Sequence, residues 1–132
     1  MHSWAEHVGE LELHVAAPTV PAVFLEAFSA FAELVHDHGF GPPDSEHRTI
    51  ELEAEERADL LAAWLDELVY LADAHGFVPE HLADLRLDGE RLHAIVRGHT
   101  GEPSALVKAV TRHGLAFEAV DEGWRAKVVL DV

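Results

Sequence analysis

The feature that most constrains this chain is that it is still patterned as a strand at its last residue. In Gly123-Trp124-Arg125-Ala126-Lys127-Val128-Val129-Leu130-Asp131-Val132, the residues Trp124, Ala126, Val128 and Leu130 fall on one face. Arg125, Lys127, Val129 and Asp131 fall on the other, because side chains alternate along a strand. Chain ends usually fray. An apolar face carried this far predicts a terminus fixed inside a sheet. Two carboxylates then sit side by side, that of Asp131 and the α-carboxylate of Val132. Crowded hard oxygen groups repel one another unless a cation or a donor lies between them. The terminus is therefore a candidate metal site.

Two further periodicities set the rest of the architecture. Glu10 to Ala16 alternates, with Leu11, Leu13 and Val15 inward. His47 to Glu53 does the same with Ile50 and Leu52. Between them Phe24, Phe28, Phe31, Leu34 and Val35 recur at helical spacing. Thr19 is placed to cap that helix, Pro21 is tolerated in its first turn, and Gly39 follows its expected end near His38. Leu61, Trp64, Leu65, Leu68 and Leu71 mark a second helix. It opens at Glu55 and Glu56, where the dipole favours acids, and stops at His75-Gly76. A hairpin over Glu80 to Arg97 turns at Asp88-Gly89. Ser104 to Arg112 is ambiguous, and Leu115–Val120 and Trp124–Asp131 form a last hairpin. The order β-α-β-α-β-β-β-β predicts an α+β fold. It would have a largely antiparallel sheet of about six strands, covered on one face by two long helices. A length of 132 residues suits one domain spanning 1–132.

Composition removes several functions. There is no cysteine, so disulfides, zinc–thiolate centres and thiol nucleophiles are excluded. The 25 acids against 9 Lys and Arg give a net charge of −16, and the chain stays negative even with all 11 histidines protonated. Such a surface repels phosphate backbones, so direct nucleic-acid binding is not expected. No apolar run is long enough to cross a membrane, and the opening residues lack a leader pattern, so the expectation is a cytoplasmic protein. No Gly-rich phosphate loop or nucleophile elbow is visible.

Three strings resemble one family. Leu60-Leu61-Ala62-Ala63-Trp64-Leu65-Asp66-Glu67-Leu68-Val69-Tyr70-Leu71 is similar to the second-helix signature of archease. Val107-Lys108-Ala109-Val110-Thr111-Arg112-His113-Gly114-Leu115 resembles its VKAVTYHGL segment, with Arg112 in place of the usual Tyr. The ending GWRAKVVLDV is similar to that of archeases nearly letter for letter. The resemblance implies an α+β fold related to the strand-helix-strand-strand module. It also implies a non-enzymatic role as protein cofactor of the RtcB-type RNA ligase of tRNA splicing and RNA repair. That role is to promote guanylylation of the ligase histidine with GTP and Mn²⁺, and to sustain multiple turnover. The family's metal site pairs an Asp of an N-terminal HTAD-like motif with the C-terminal Asp and terminal residue. Here His7-Val8-Gly9-Glu10 lies at that place, with Glu10 where Asp is usual.

The expected metal ligands are thus Glu10, Asp131 and Val132. The ion would be a hard divalent cation, Ca²⁺ foremost, with Mn²⁺ or Mg²⁺ as alternatives. His7 would orient Glu10 or cap the strand, and Lys108 would contact the ligase or merely offset nearby acids. The plain alternative for Glu10 and Asp131 is two solvated acids, or acids paired with Arg125 or Lys127. Two rival functions use the same carboxylates, a small metal-dependent hydrolase and a metal-binding chaperone of another enzyme. His36-Asp37-His38 has the wrong helical spacing for a shared ligand face and reads as a helix C-terminal cap. His113 is expected to shape a turn.

Overall fold

The computed structural model describes residues 1–36, 42, 44–104 and 107–132. The elements run β1 His2–His7, β2 Glu10–Ala17, α1 Val20–Val35, β3 Glu46–Glu53, α2 Arg57–His75, β4 Phe77–Asp88, β5 Arg91–Thr100, β6 Ala109–Val120 and β7 Gly123–Asp131. The chain is α+β, as its periodicities predict. Its strands form two antiparallel sheets, ordered β1-β2-β7-β6 and β3-β5-β4, rather than one sheet of about six. The extra strand is β1. Its sequence, His-Ser-Trp-Ala-Glu-His, offers one large apolar side chain, Trp4, which packs on the core. An edge strand with so little to bury leaves almost no hydrophobic pattern to read.

Both helices form for the reasons their sequences supply. The Thr19 hydroxyl accepts a hydrogen bond from the Ala22 amide at 3.2 Å, and a proline occupies the first turn of α1. Phe24, Phe28, Phe31 and Val35 are buried along one side. The helix ends at Val35, and the expected Gly39 cap lies outside the described residues. In α2 the left-handed Gly76 (φ 61°) closes the helix, its amide donating to the Ala72 and Leu71 carbonyls. Glu55 and Glu56 precede that helix instead of filling its first turn, where the acid is Asp59.

Each helix packs on both sheets. The wide apolar face of α2 buries Leu61, Trp64, Leu65, Leu68 and Leu71. The Trp64 indole donates to the Phe24 carbonyl at 3.0 Å, so the largest core side chain also has its one polar atom satisfied. These aromatics are core, as their spacing predicts. The inward face of the first sheet joins them through Leu13, Val15, Ala126, Val128 and Leu130. This leaves the outer face of that sheet for Glu10, Glu12, His14, Arg125, Lys127 and Asp131.

The C-terminal half of the first sheet departs from simple hairpins. Thr111 pairs with Val129 and Ala116 with Lys127, so three extra residues of β6 face the same stretch of β7. Ser104 to Arg112, ambiguous in sequence, therefore ends inside a strand. His113 lies in the bulge rather than in a connecting turn, next to Gly114 at φ 75°. An added β-carbon at Gly114 would stand 3.4 Å from the Lys127 side chain, so the bulge folds closely over the outer face.

Candidate metal centre

β2 and β7 lie side by side and run antiparallel, and their register sets Glu10 directly opposite Asp131. The order of the chain brings this about: β2 opens just after a tight turn, and β7 is the last strand. His7 and Glu10 close the β1–β2 hairpin around Val8-Gly9, with Gly9 at φ 76°. The Val132 amide then donates to the Gly9 carbonyl at 3.0 Å. That bond makes Gly9 and Val132 a hydrogen-bonded pair. By the alternation of an antiparallel ladder, Glu10 and Asp131 form the next, non-hydrogen-bonded pair. In such pairs side chains stand closest, with Cα atoms about 4.5 Å apart. On the other flank Asp131 pairs with Ala109, and the Lys108 amide donates to the Asp131 carbonyl at 2.8 Å. One row of the sheet thus runs His7, Glu10, Asp131, Ala109, with Val132 and Lys108 beside it.

The electrostatics of this row differ from those of its neighbours. Among the described residues neither Glu10 nor Asp131 has an ion-pair or hydrogen-bonding side-chain partner. Arg125 is engaged by Glu118 at 2.6 Å. Lys127 faces His14 and Ala116, one row beyond Glu12. The pairing of Glu10 or Asp131 with Arg125 or Lys127 is therefore not what the structure shows. Glu12, one row away, is the opposite case. His14 Nε2 lies 3.3 Å from one of its oxygens and His7 Nε2 3.5 Å from the other. The hydrogen bond from His14 lowers the Glu12 pKa below the usual carboxylate range, with smaller help from the charges of His7 and Lys127. The His7 ring therefore reaches Glu12 rather than Glu10. Glu12 went unremarked in the sequence, although its position two after Glu10 put it on the same face.

Like charges directly opposite each other in a sheet destabilise it unless something lies between them. A carboxylate pair with an adjacent terminal carboxylate is a hard-oxygen donor set of the kind Ca²⁺, Mg²⁺ and Mn²⁺ accept. Among the described residues no group of three or more His, Asp or Glu side chains is placed to hold an ion. Val132 lies at the same edge, its amide held by the Gly9 carbonyl. His36, the one described member of the His36-Asp37-His38 run, is exposed at the C-cap of α1. Arg112 reaches across to Asp59 of α2 at 3.7 Å.

The two helices and two antiparallel sheets in this order make the chain a small α+β protein. The pattern of the Archease protein family (MTH1598/TM1083) matches residues 3–132, and the chain belongs to that family. The protein archease of Pyrococcus furiosus is 30% identical over 149 residues, covering all of both chains. The solution structure of protein 1598 of Methanobacterium thermoautotrophicum superposes with a TM-score of 0.80 at 25% identity, over 99% of this chain and 98% of that one. The crystal structure of a Thermotoga maritima archease, described as a possible chaperone, shares the fold with a TM-score of 0.72 at 21% identity, over 100% and 98% of the two chains.

Proposed function

We propose that this chain is an accessory protein of an RtcB-type RNA ligase, without catalytic activity of its own. It would promote guanylylation of the ligase histidine and repeated turnover in tRNA splicing or RNA repair. Family membership supports the reading. So does the possible-chaperone description of the Thermotoga relative, of which assistance to one enzyme is a specific form. The observation that carries it is the direct opposition of Glu10 and Asp131, with no cation answering them among the described residues.

In this reading Glu10, Asp131 and the Val132 carboxylate hold a divalent cation, Ca²⁺ or else Mn²⁺ or Mg²⁺. Such an ion lowers the cost of charge on a transferring phosphoryl group. Lys108, tied to Asp131 through its backbone amide, contributes an ammonium at the rim for the partner or the nucleotide. His7 holds Glu12 and so keeps the neighbouring row closed to the ion. The net charge of −16 favours transient docking on a basic RNA-binding cleft, and argues against direct contact with RNA. No described helix is long and apolar enough to cross a membrane, and the proposed place of action is the cytoplasm.

The test is ligase turnover at substoichiometric ligase, with and without this protein. Stimulation that disappears with Asp131→Asn is expected. Equal rates with and without the wild-type protein would refute the role.

A further inference from the structure

We propose that the cavity between the C-terminal ends of the two helices is a binding site for a small organic cation, an ammonium group carried on a hydrocarbon body. The site lies apart from the carboxylate row and uses none of its residues.

The cavity has a volume of about 460 Å³, within the range of small-molecule pockets. Phe31 and Val35 of α1, Val69 and Ala72 of α2, and Val107 ahead of β6 line it, and all five are buried. The stretch 101–104 supplies the remaining wall and is itself tied down. The Gly101 amide donates to the Gly76 carbonyl at 2.8 Å, and the Ser104 amide donates to the Val35 carbonyl at 3.1 Å. The Ser104 hydroxyl donates to the Leu34 carbonyl at 3.1 Å. One short segment thus tethers the last turn of α1 to the end of α2. The cavity is formed before anything enters it, so a ligand meets little cost of ordering the protein.

An apolar hollow alone does not name its ligand, and the charge around this one does. Asp73 and Glu102 are the ionisable residues of the lining, and both are exposed. No Lys, Arg or His lines the cavity, and among the described residues neither acid has an ion-pair partner. Both helices also end here, and a helix C-terminus carries about half a negative charge that favours a cation. The last turn of α1 holds no basic residue. That of α2 holds His75, whose ring packs edge-on against Tyr70 at 5.3 Å and lies outside the lining. Asp73 adds negative charge to a helix end where the dipole already disfavours it. Two helix ends and two acids act in the same direction, repelling an anion and drawing in a cation. The five buried side chains then favour a cation with apolar surface to bury over a bare inorganic ion.

The probe is phenylbutylamine, with phenylbutyrate as its anionic counterpart and methylammonium as a cation without the hydrocarbon body. Each is titrated into the isotope-labelled full chain and followed by NMR. Saturable shifts of the Phe31, Val69 and Val107 resonances are expected with phenylbutylamine alone. The Asp73→Asn/Glu102→Gln variant, changed only at exposed positions, should bind the amine roughly fivefold more weakly with an unchanged melting temperature. Equal binding of the amine and the butyrate, or undiminished binding of the amine by the variant, would overturn the preference for a cation. Methylammonium binding as tightly as phenylbutylamine would overturn the part given to the apolar lining. No shifts with phenylbutylamine, or shifts confined to Glu10 and Asp131, would overturn the site itself.

Discussion

The two ends of β1 treat their acids in opposite ways. At the start of the strand His2 is clamped between two glutamates of α1, with Nδ1 2.7 Å from Glu26 and Nε2 3.0 Å from Glu33. The terminal ammonium of Met1 lies 3.3 Å from Glu26 as well, and donates to the Ala16 carbonyl at 3.0 Å. Every acid at that end has a cation, and the result is a strand tied to a helix. At the other end Glu10 and Asp131 face each other across β2 and β7, and no described cation answers them. An arrangement that serves only stability would resemble the first. The second gives up stability at one spot, and that spot is where the proposed ion would bind.

Substitution at Asp131 should have the greatest consequence. Replacing it by Asn removes one charge of the donor set. Because affinity follows the number of anionic ligands, binding of Ca²⁺ or Mn²⁺ should fall by roughly 10-fold or more. Stimulation of the ligase should be lost with it, while the circular dichroism spectrum stays unchanged. Retained stimulation would separate the carboxylate row from function.

The clamp answers a different assay. His2→Ala should leave metal binding untouched and lower the unfolding free energy by about 1–2 kcal/mol, as for other charged hydrogen bonds, read by urea titration. The pH dependence follows from the two shifts. For His2, burial alone would depress the pKa, but the bonds from Glu26 and Glu33 outweigh it and the value is raised above 6.5. Its contribution is complete below the unfolded pKa of 6.5 and is lost as pH rises through the folded value. For Glu26, the bond from His2 and the Met1 ammonium hold the pKa below 4.5. Its contribution is present above the unfolded value and is lost as pH falls through the folded one. The stability gap between wild type and His2→Ala should therefore be widest between about pH 4.5 and 6.5, and narrow on either side. A gap that grows above pH 7 would contradict the clamp.

Without divalent metal, Asp131→Asn should raise stability by a few tenths of a kcal/mol, because it relieves a like-charge pair in the sheet. With metal in excess the same substitution should lower the apparent stability, because the wild type alone gains from binding. Thermal unfolding with and without Ca²⁺ shows the crossing.

Much of this was readable in the chain, and what escaped has a physical reason. Both helices and the strands β2, β3, β5 and β7 follow from apolar spacing, because each buries a continuous face. β1 did not, since Trp4 is its one large apolar anchor. The two-sheet split did not either, because periodicity reports which face is buried and not which strands pair. The bulge at Arg112-His113-Gly114 reads as a turn in sequence, since a glycine at positive φ serves both. At the site, Asp131 and Val132 stood out because the strand pattern reached the end of the chain. The register that sets Asp131 opposite Glu10 is long-range and no local signal encodes it, so only the archease resemblance pointed to it. His7 pairs with Glu10 in the register, yet its ring lies 3.5 Å from Glu12, a choice made by side-chain reach rather than by sequence position.

Isothermal titration of Ca²⁺ and Mn²⁺ into the wild-type protein and into the Glu10→Gln/Asp131→Asn double variant tests the carboxylate row most directly. One ion bound per chain by the wild type, and no heat of binding from the double variant at the same concentrations, is the expected result. Equal binding by the two proteins, or none by the wild type, would contradict the account.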